Sequence, residues 1–407
     1  MGRLKRYLHC CDQEGKIMAF KQADRLDKVH HSQMRRIFGL CNQLRSRGEW
    51  VADVTIGQPN FPTPQYIKDA CIKALEDGHT GYEATDGIPE LKAEIIKKIK
   101  RDTGMIYEPN EIMATNGVAM GCFVSLMACL NPGDEIILPD PVYFIYDNCA
   151  NIAGATIKKY TLCEENEFQV DIDELKSLIT DKTKMMVIVS PSNPLGASLT
   201  TDNLAEIAKI AVENDLLVVT DEIYDMLVYE DPKPVSIATF PGMRERTIIL
   251  NGFSKSFAMT GWRLGWAAAP ADIIDAMNRL GFYMTSGPVS FVMYAAAAAL
   301  REEDGSVEMM RKEFDKRRKY LVEEINKLDN FSCLAPKGAF YIFLNIKKTG
   351  MSSHDFCEYI FEKYRVAVIA GHLFGNSGEG FVRISYAASD EVLQSVVEGL
   401  QKADKDF

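Results

Sequence analysis

The stretch NGFSKSFAMTGWRLGW, residues 251–266, concentrates more reactive chemistry than any other part of this chain. Lys255 follows an apolar, β-rich run at residues 247–250, so its side chain projects from a strand end into whatever crevice lies there. Small residues crowd around it: Gly252, Ser254, Ser256, Ala258 and Gly261. Small side chains let backbone approach a ligand closely. Arg263 lies within one turn's reach of the same ligand. A lysine amine beside a guanidinium suits a small molecule that carries both a carbonyl and a phosphate. The amine bonds to the carbonyl carbon while the Arg forks onto the phosphate. The plainer alternative is a surface lysine on an ordinary strand–helix loop.

Outward from this stretch, strands and helices alternate. Apolar β-rich runs stand at residues 135–138, 185–189, 216–220, 247–250 and 265–269. Helical periodicity fills residues 91–100, 119–130, 173–179 and 204–212. Such alternation predicts an α/β fold whose large domain has a mostly parallel sheet covered by helices on both faces. Ligands of such sheets bind beyond the carboxyl ends of the strands. After about residue 302 the pattern changes to a charged helix at 305–328, then short strands at 341–344, 366–369 and 382–385 between helices at 353–363 and 388–403. This reads as a smaller α/β domain. A helix with apolar positions from Leu26 to Leu44 and a short strand at 51–56 are expected to complete it. The division is therefore an arm at 1–20, a small domain from 21–63 and 303–407, and a large domain at 64–302.

Other motifs sit at predicted strand ends. Asp221-Glu222-Ile223-Tyr224 follows the run at 216–220; taken by itself, such an Asp is usually a helix N-cap. Ser190-Pro191-Ser192-Asn193-Pro194-Leu195-Gly196 is a turn whose prolines aim the Asn193 side chain. Thr115-Asn116-Gly117-Val118-Ala119 enters a helix, and the free amides of Val118 and Ala119 suit a phosphate. Arg383 stands in the β-rich Phe381-Val382-Arg383-Ile384-Ser385, where burial is costly unless the guanidinium is paired. A substrate carboxylate is a natural bidentate partner, and a structural ion pair is the alternative.

Together these motifs, in this order, resemble the fold-type I pyridoxal-phosphate-dependent aminotransferases of class I/II, from about residue 25 to the C-terminus. The resemblance implies pyridoxal 5'-phosphate (PLP) as cofactor, bound covalently by Lys255. It implies that Asp221 keeps the pyridine nitrogen protonated, and that Asn193 and Tyr224 bond the phenolic oxygen. Ser254, Arg263, Val118 and Ala119 then surround the phosphate, and Tyr143 stacks on the ring. Tyr82 matches a residue that reaches the phosphate of a neighbouring subunit, which implies a homodimer with shared sites. Arg383 and the Gly57 amide are expected to hold the substrate carboxylate. Leu195 departs from the pattern, where most members carry Thr or Ser.

Composition narrows the alternatives. A formal net charge of -11 over 407 residues disfavours a nucleic-acid partner. The ten cysteines form no CxxC pair and read as reduced thiols, with adjacent Cys10 and Cys11 as the exception. The six histidines have no metal-ligand spacing, so no metal is expected. No apolar run reaches membrane-spanning length and the N-terminus shows no secretory leader pattern, so cytoplasm is the expected compartment.

The expected reaction moves an amino group between an L-amino acid and a 2-oxo acid by a ping-pong route, with Lys255 as general base. Some similar bacterial aspartate enzymes carry Lys where this chain has Ala119, and residues 281–291 hold no basic side chain. Neutral or aromatic substrates are therefore favoured, with aspartate still open through Lys16, Lys21 or Arg25. The same residues also serve carbon–sulfur β-lyases and decarboxylases on this fold. A DNA-binding regulator built on this body is disfavoured by acidity and by the few residues preceding residue 25. Retention of the cofactor without turnover is disfavoured by the presence of Lys255, Asp221 and Arg383 together.

Overall fold

The computed structural model describes residues 21–29, 34–230 and 235–407. The expected arm over residues 1–20, with Cys10, Cys11 and Lys16, lies outside them.

Among the described residues, twelve strands fall into three sheets. In chain order they are β1 (Ala52–Asp53), β2 (Ile112–Thr115), β3 (Glu135–Asp140), β4 (Thr156–Thr161), β5 (Thr183–Val189), β6 (Leu217–Asp221), β7 (Thr247–Gly252), β8 (Gly265–Ala268), β9 (Tyr341–Asn345), β10 (Val366–Ala367), β11 (Ile369–Ala370) and β12 (Phe381–Ser385). The seven-stranded sheet has the order β2-β8-β7-β6-β5-β3-β4. Pairs β7–β6, β6–β5, β5–β3 and β3–β4 are parallel, and β8 runs antiparallel to both β7 and β2.

The side-chain alternation of the central strands explains their near-continuous apolarity. Met185, Val187 and Val189 of β5 join one core cluster while Met186 and Ile188 join another. Ile248 and Leu250 of β7 face one side and Ile249 the other. Both faces are covered by helices, so each of these side chains contributes about 1.5–3 kcal/mol of apolar burial.

Several helix boundaries follow from local chemistry. Pro89 opens the helix Pro89–Thr103, and Gly104, left-handed at φ 76°, closes it. Asp171 caps Ile172–Leu178 by accepting the amides of Asp173 and Glu174. Thr200 caps Thr201–Glu213 in the same way.

A second core gathers β9, β12 and helices Ser306–Ile325, Ser353–Tyr364 and Asp390–Ala403 around Phe314, Phe340, Phe356 and Ile384. Ala52 and Val54 belong to it, and β1 pairs in parallel with β10. Ile223, Tyr224 and Leu227, from the loop after β6, also lie in this core.

Two expectations need correction. The helix placed from Leu26 to Leu44 runs over Met34–Ser46; Leu26 ends a separate 3-10 turn, Asp24–Leu26, and stays 42% exposed. With no core beneath Leu26, its apolarity gave a false start to the helical period. The run at 366–369 is two strands in different sheets, because the chain changes partner at Val368: β10 joins β1, and β11 joins β12.

Candidate active site

The sheet topology gathers the motifs at one edge. β2, β3, β5, β6 and β7 run in the same direction, and their carboxyl ends lead directly to Val118, Tyr143, Asn193, Tyr224 and Lys255. β8 runs the opposite way, so the residues just before it lie at that same edge, and Arg263 is among them. The motif that precedes a strand and the motifs that follow strands thus meet.

They line one cavity of about 370 Å³. Of the expected site residues, Gly57, Val118, Ala119, Tyr143, Asn193, Asp221, Tyr224, Ser254, Lys255, Arg263 and Arg383 all line it. Tyr82 does not; it is 95% exposed. Leu195, the departure from the family pattern, points into the core beside Ile188 and Leu204.

Lys255 lies in the turn after β7 and its Nζ donates to the Gly57 carbonyl at 2.6 Å. Removal from water pushes its pKa from 10.5 down to about 8; the charges of Arg383 and Arg263 push the same way, and Asp221 opposes them. Asp221 ends β6 and is buried. Its Oδ2 accepts the Tyr146 hydroxyl at 2.6 Å and its Oδ1 accepts the Ile223 amide at 3.1 Å. Burial raises its pKa, and these two donors and Lys255 counter that rise.

At one end of the cavity the helix Val118–Cys129 begins. Its first amides have no intrahelical acceptor. Gly117 caps it at φ 79°, and a Cβ there would stand 2.6 Å from Arg263 Nη2. The glycine therefore leaves room for the guanidinium above the helix start. Arg263 is itself held left-handed at φ 55°, a conformation uncommon outside glycine, and donates Nη1 to the Thr260 carbonyl at 3.0 Å. Among the described residues no carboxylate pairs with it.

At the other end Arg383 is only 2% exposed. Nη1 donates to Asn193 Oδ1 at 2.9 Å, and Nη2 to the Thr55 carbonyl at 2.6 Å. Its Nε has no partner, and no carboxylate pairs with it among the described residues. A structural ion pair, the alternative reading of this residue, is thus absent among them. The other basic side chains lining the cavity are Lys255 and Arg263. Lys21 pairs with Asp24 at 3.1 Å and Arg25 is exposed; neither lines it.

The structure adds residues that the motifs did not reveal. Tyr146 and Cys122 line the cavity beside Asp221, and Tyr341 lies between Tyr224 and Arg383. Tyr146 follows Tyr143 at a helix-turn spacing, a weak signal. Tyr341 depends on the pairing of β9 with β12, which no local pattern encodes.

A family model described as aminotransferase class I and II matches residues 51–400. The aspartate aminotransferase of Pyrococcus abyssi is 44% identical over 93% of this chain and 97% of its own length. The aromatic-amino-acid aminotransferase 2 of Thermococcus litoralis is 41% identical over 94% and 98%. Among solved structures, the aromatic aminotransferase from Pyrococcus horikoshii superposes with a TM-score of 0.87 at 42% identity, covering 94% of this chain and 98% of that one. The Thermus thermophilus aspartate aminotransferase with maleate gives 0.90 at 32% identity, covering 94% and 100%. With the motifs joined in one cavity and nearly the whole length matched, the chain belongs to the class I and II aminotransferases and is an enzyme that transfers amino groups.

Proposed function

We propose that this aminotransferase works on neutral or aromatic L-amino acids with PLP held by Lys255. The observation that carries the reading is a single cavity with a desolvated lysine amine between a helix start, whose Arg263 guanidinium pairs with no carboxylate among the described residues, and a buried Arg383 whose Nε is unpaired. The residues fit PLP. The amides of Val118 and Ala119, with Ser254 and Arg263, offer donors for a phosphate. Asp221 offers a carboxylate for the pyridine nitrogen, and Tyr143 a flat face for the ring.

When bound, PLP supplies an electron sink for the charge left as the substrate Cα loses its proton. Arg383 and the Gly57 amide hold the substrate carboxylate, which turns the Cα–H bond toward Lys255. The Lys255 amine takes that proton and later returns one, a task that suits a base titrating near 8. Asp221, its carboxylate held by Tyr146 and the Ile223 amide, would be the group to keep the pyridine nitrogen protonated. Asn193 serves both ends, through its bond to Arg383 and its place in the cavity wall.

Phe38, Ile56 and Gln58 line the same cavity, and among the described residues its basic side chains are Lys255, Arg263 and Arg383. Aspartate is the second reading, supported by the relatives of that name. The domain division at residues 64 and 303 and the cytoplasmic compartment belong to the same reading. So does a homodimer, supported by the exposure of Tyr82 and of Tyr283 at 87%.

The test mixes PLP-loaded protein with one amino acid at a time, without oxo acid, and follows its visible absorption. Tyrosine or phenylalanine is expected to convert the visible band to a near-ultraviolet one at lower concentration than aspartate. Faster conversion by aspartate would reverse the substrate assignment. A persistent band with pyruvate accumulating from a β-substituted amino acid would favour lyase chemistry.

A second expectation concerns pH. The neutral amine captures the cofactor, so uptake of PLP by cofactor-free protein should quicken roughly tenfold per pH unit below about 8 and level off above it. Stopped-flow absorbance measures this. A rate still climbing toward pH 10 would mean that Lys255 keeps an ordinary lysine pKa.

A further inference from the structure

Tyr341 opens β9, and its hydroxyl lies 2.9 Å from that of Tyr224, with both side chains buried. Tyr341 pairs across the sheet with Ser385, two residues beyond Arg383, so Tyr341 and Arg383 project from the same face. The Arg383 guanidinium stands 4.7 Å from the centre of the Tyr341 ring. A Cβ on Gly57 would sit 2.3 Å from the Tyr341 hydroxyl, so the glycine admits the phenol beneath the loop that also accepts Lys255.

Each phenol has one proton, and the direction of this bond matters. If Tyr224 donated to Tyr341, Tyr224 would turn only lone pairs toward an acceptor in the cavity. The Tyr341 proton would then have no acceptor, because its hydroxyl contacts no other hydrogen-bonding group among the described residues. In the reverse direction Tyr341 has Tyr224 as its acceptor, and the Tyr224 proton is left for an acceptor in the cavity.

We propose that Tyr341 is a positioning residue that donates its hydroxyl proton to Tyr224, aims the Tyr224 O–H at the phenolic oxygen of bound PLP, and carries the Arg383 guanidinium on its ring. It therefore links the cofactor end of the cavity to the carboxylate end. A hydroxyl that accepts one hydrogen bond donates a stronger one. Burial raises the pKa of both phenols, and the Arg383 charge opposes that rise at each. The ring contact adds a cation–π attraction to a guanidinium that pairs with no carboxylate among the described residues.

This inference rests on the proposed role of Tyr224, and the test separates the two. Wild type, Tyr224→Phe, Tyr341→Phe and the double variant are loaded with PLP, and the visible absorption of each is titrated with pH. A donor to the phenolic oxygen draws charge from it and lowers the proton affinity of the Lys255–cofactor linkage. Tyr224→Phe should therefore raise the pH midpoint. Tyr341→Phe should raise it by roughly half a unit, about a threefold change in proton affinity. The double variant should match Tyr224→Phe. An unmoved midpoint in Tyr341→Phe while Tyr224→Phe shifts overturns the role of Tyr341 alone. An unmoved midpoint in Tyr224→Phe overturns the role of Tyr224 and this inference with it. Loss of PLP binding by a Tyr341→Phe protein whose circular dichroism is native also overturns the proposal, since a positioning role removes one hydrogen bond only.

Discussion

Lys255→Ala is expected to lose the visible absorption of the loaded protein and at least about four orders of magnitude in kcat, since in the proposed mechanism one residue both attaches the cofactor and moves the proton. The fold should survive. Lys255 sits in a turn lined by small residues, and among the described residues the one hydrogen bond of its side chain goes to the Gly57 carbonyl at the cavity wall. Removing a desolvated amine also relieves an electrostatic penalty, since Arg383 and Arg263 both disfavour its charge. A small primary amine added to the variant should restore part of the rate, because it enters the space left by the side chain and accepts the same proton. Turnover near that of the wild type, without added amine, would remove Lys255 from the mechanism.

The second large effect is expected at Arg383. Arg383→Met keeps an apolar stem in the core but removes the fork. It should lower kcat/KM by about 3–5 kcal/mol, or roughly two to four orders of magnitude, mostly through KM. The variant also leaves Asn193 Oδ1 and the Thr55 carbonyl without their donors. Some loss of thermal stability should therefore accompany it, about 1–3 kcal/mol for each acceptor that water does not reach. A comparison of tyrosine with tyramine, which lacks the carboxylate, separates the two effects. Wild type should strongly prefer tyrosine, and Arg383→Met should nearly lose that preference. Arg383→Lys should recover little, because an ammonium cannot span Asn193, Thr55 and a carboxylate at once. An undiminished preference in Arg383→Met would place carboxylate recognition elsewhere.

The site was legible in the sequence where a rule ties chemistry to the end of a strand. Lys255, Asp221, Asn193 and Tyr143 all follow apolar runs, and parallel sheets expose ligands at those ends. Arg263 precedes its strand, and only the reversal of β8 explains why it joins them. Five strands of the large sheet were readable because they appear as unbroken apolar runs; β2 and the edge strand β4, whose Lys158 and Lys159 interrupt any such run, were not. Tyr341 was not readable, because its place beside Arg383 follows from the register of β9 against β12. Nor was the hydrogen bond from Tyr146 to Asp221, which joins residues 75 apart in the chain. The break at Val368 was hidden for a similar reason: periodicity reports that a residue is buried but not which strand it borders.

The bond from Arg383 to the Thr55 carbonyl joins residues 328 apart. At ordinary synthesis rates the ribosome needs roughly 15–65 seconds to travel that distance. For about the last two-fifths of that time the nascent chain carries the lysine proposed to take the cofactor but lacks the guanidinium proposed to hold the substrate carboxylate. Full reactivity therefore awaits the last turn of translation, when the strand bearing Arg383 closes against the first part of the chain to be made. An incomplete product released before residue 381 would have the nucleophile without the discriminating clamp, and its unpaired β9 edge would mark it for chaperones and proteases.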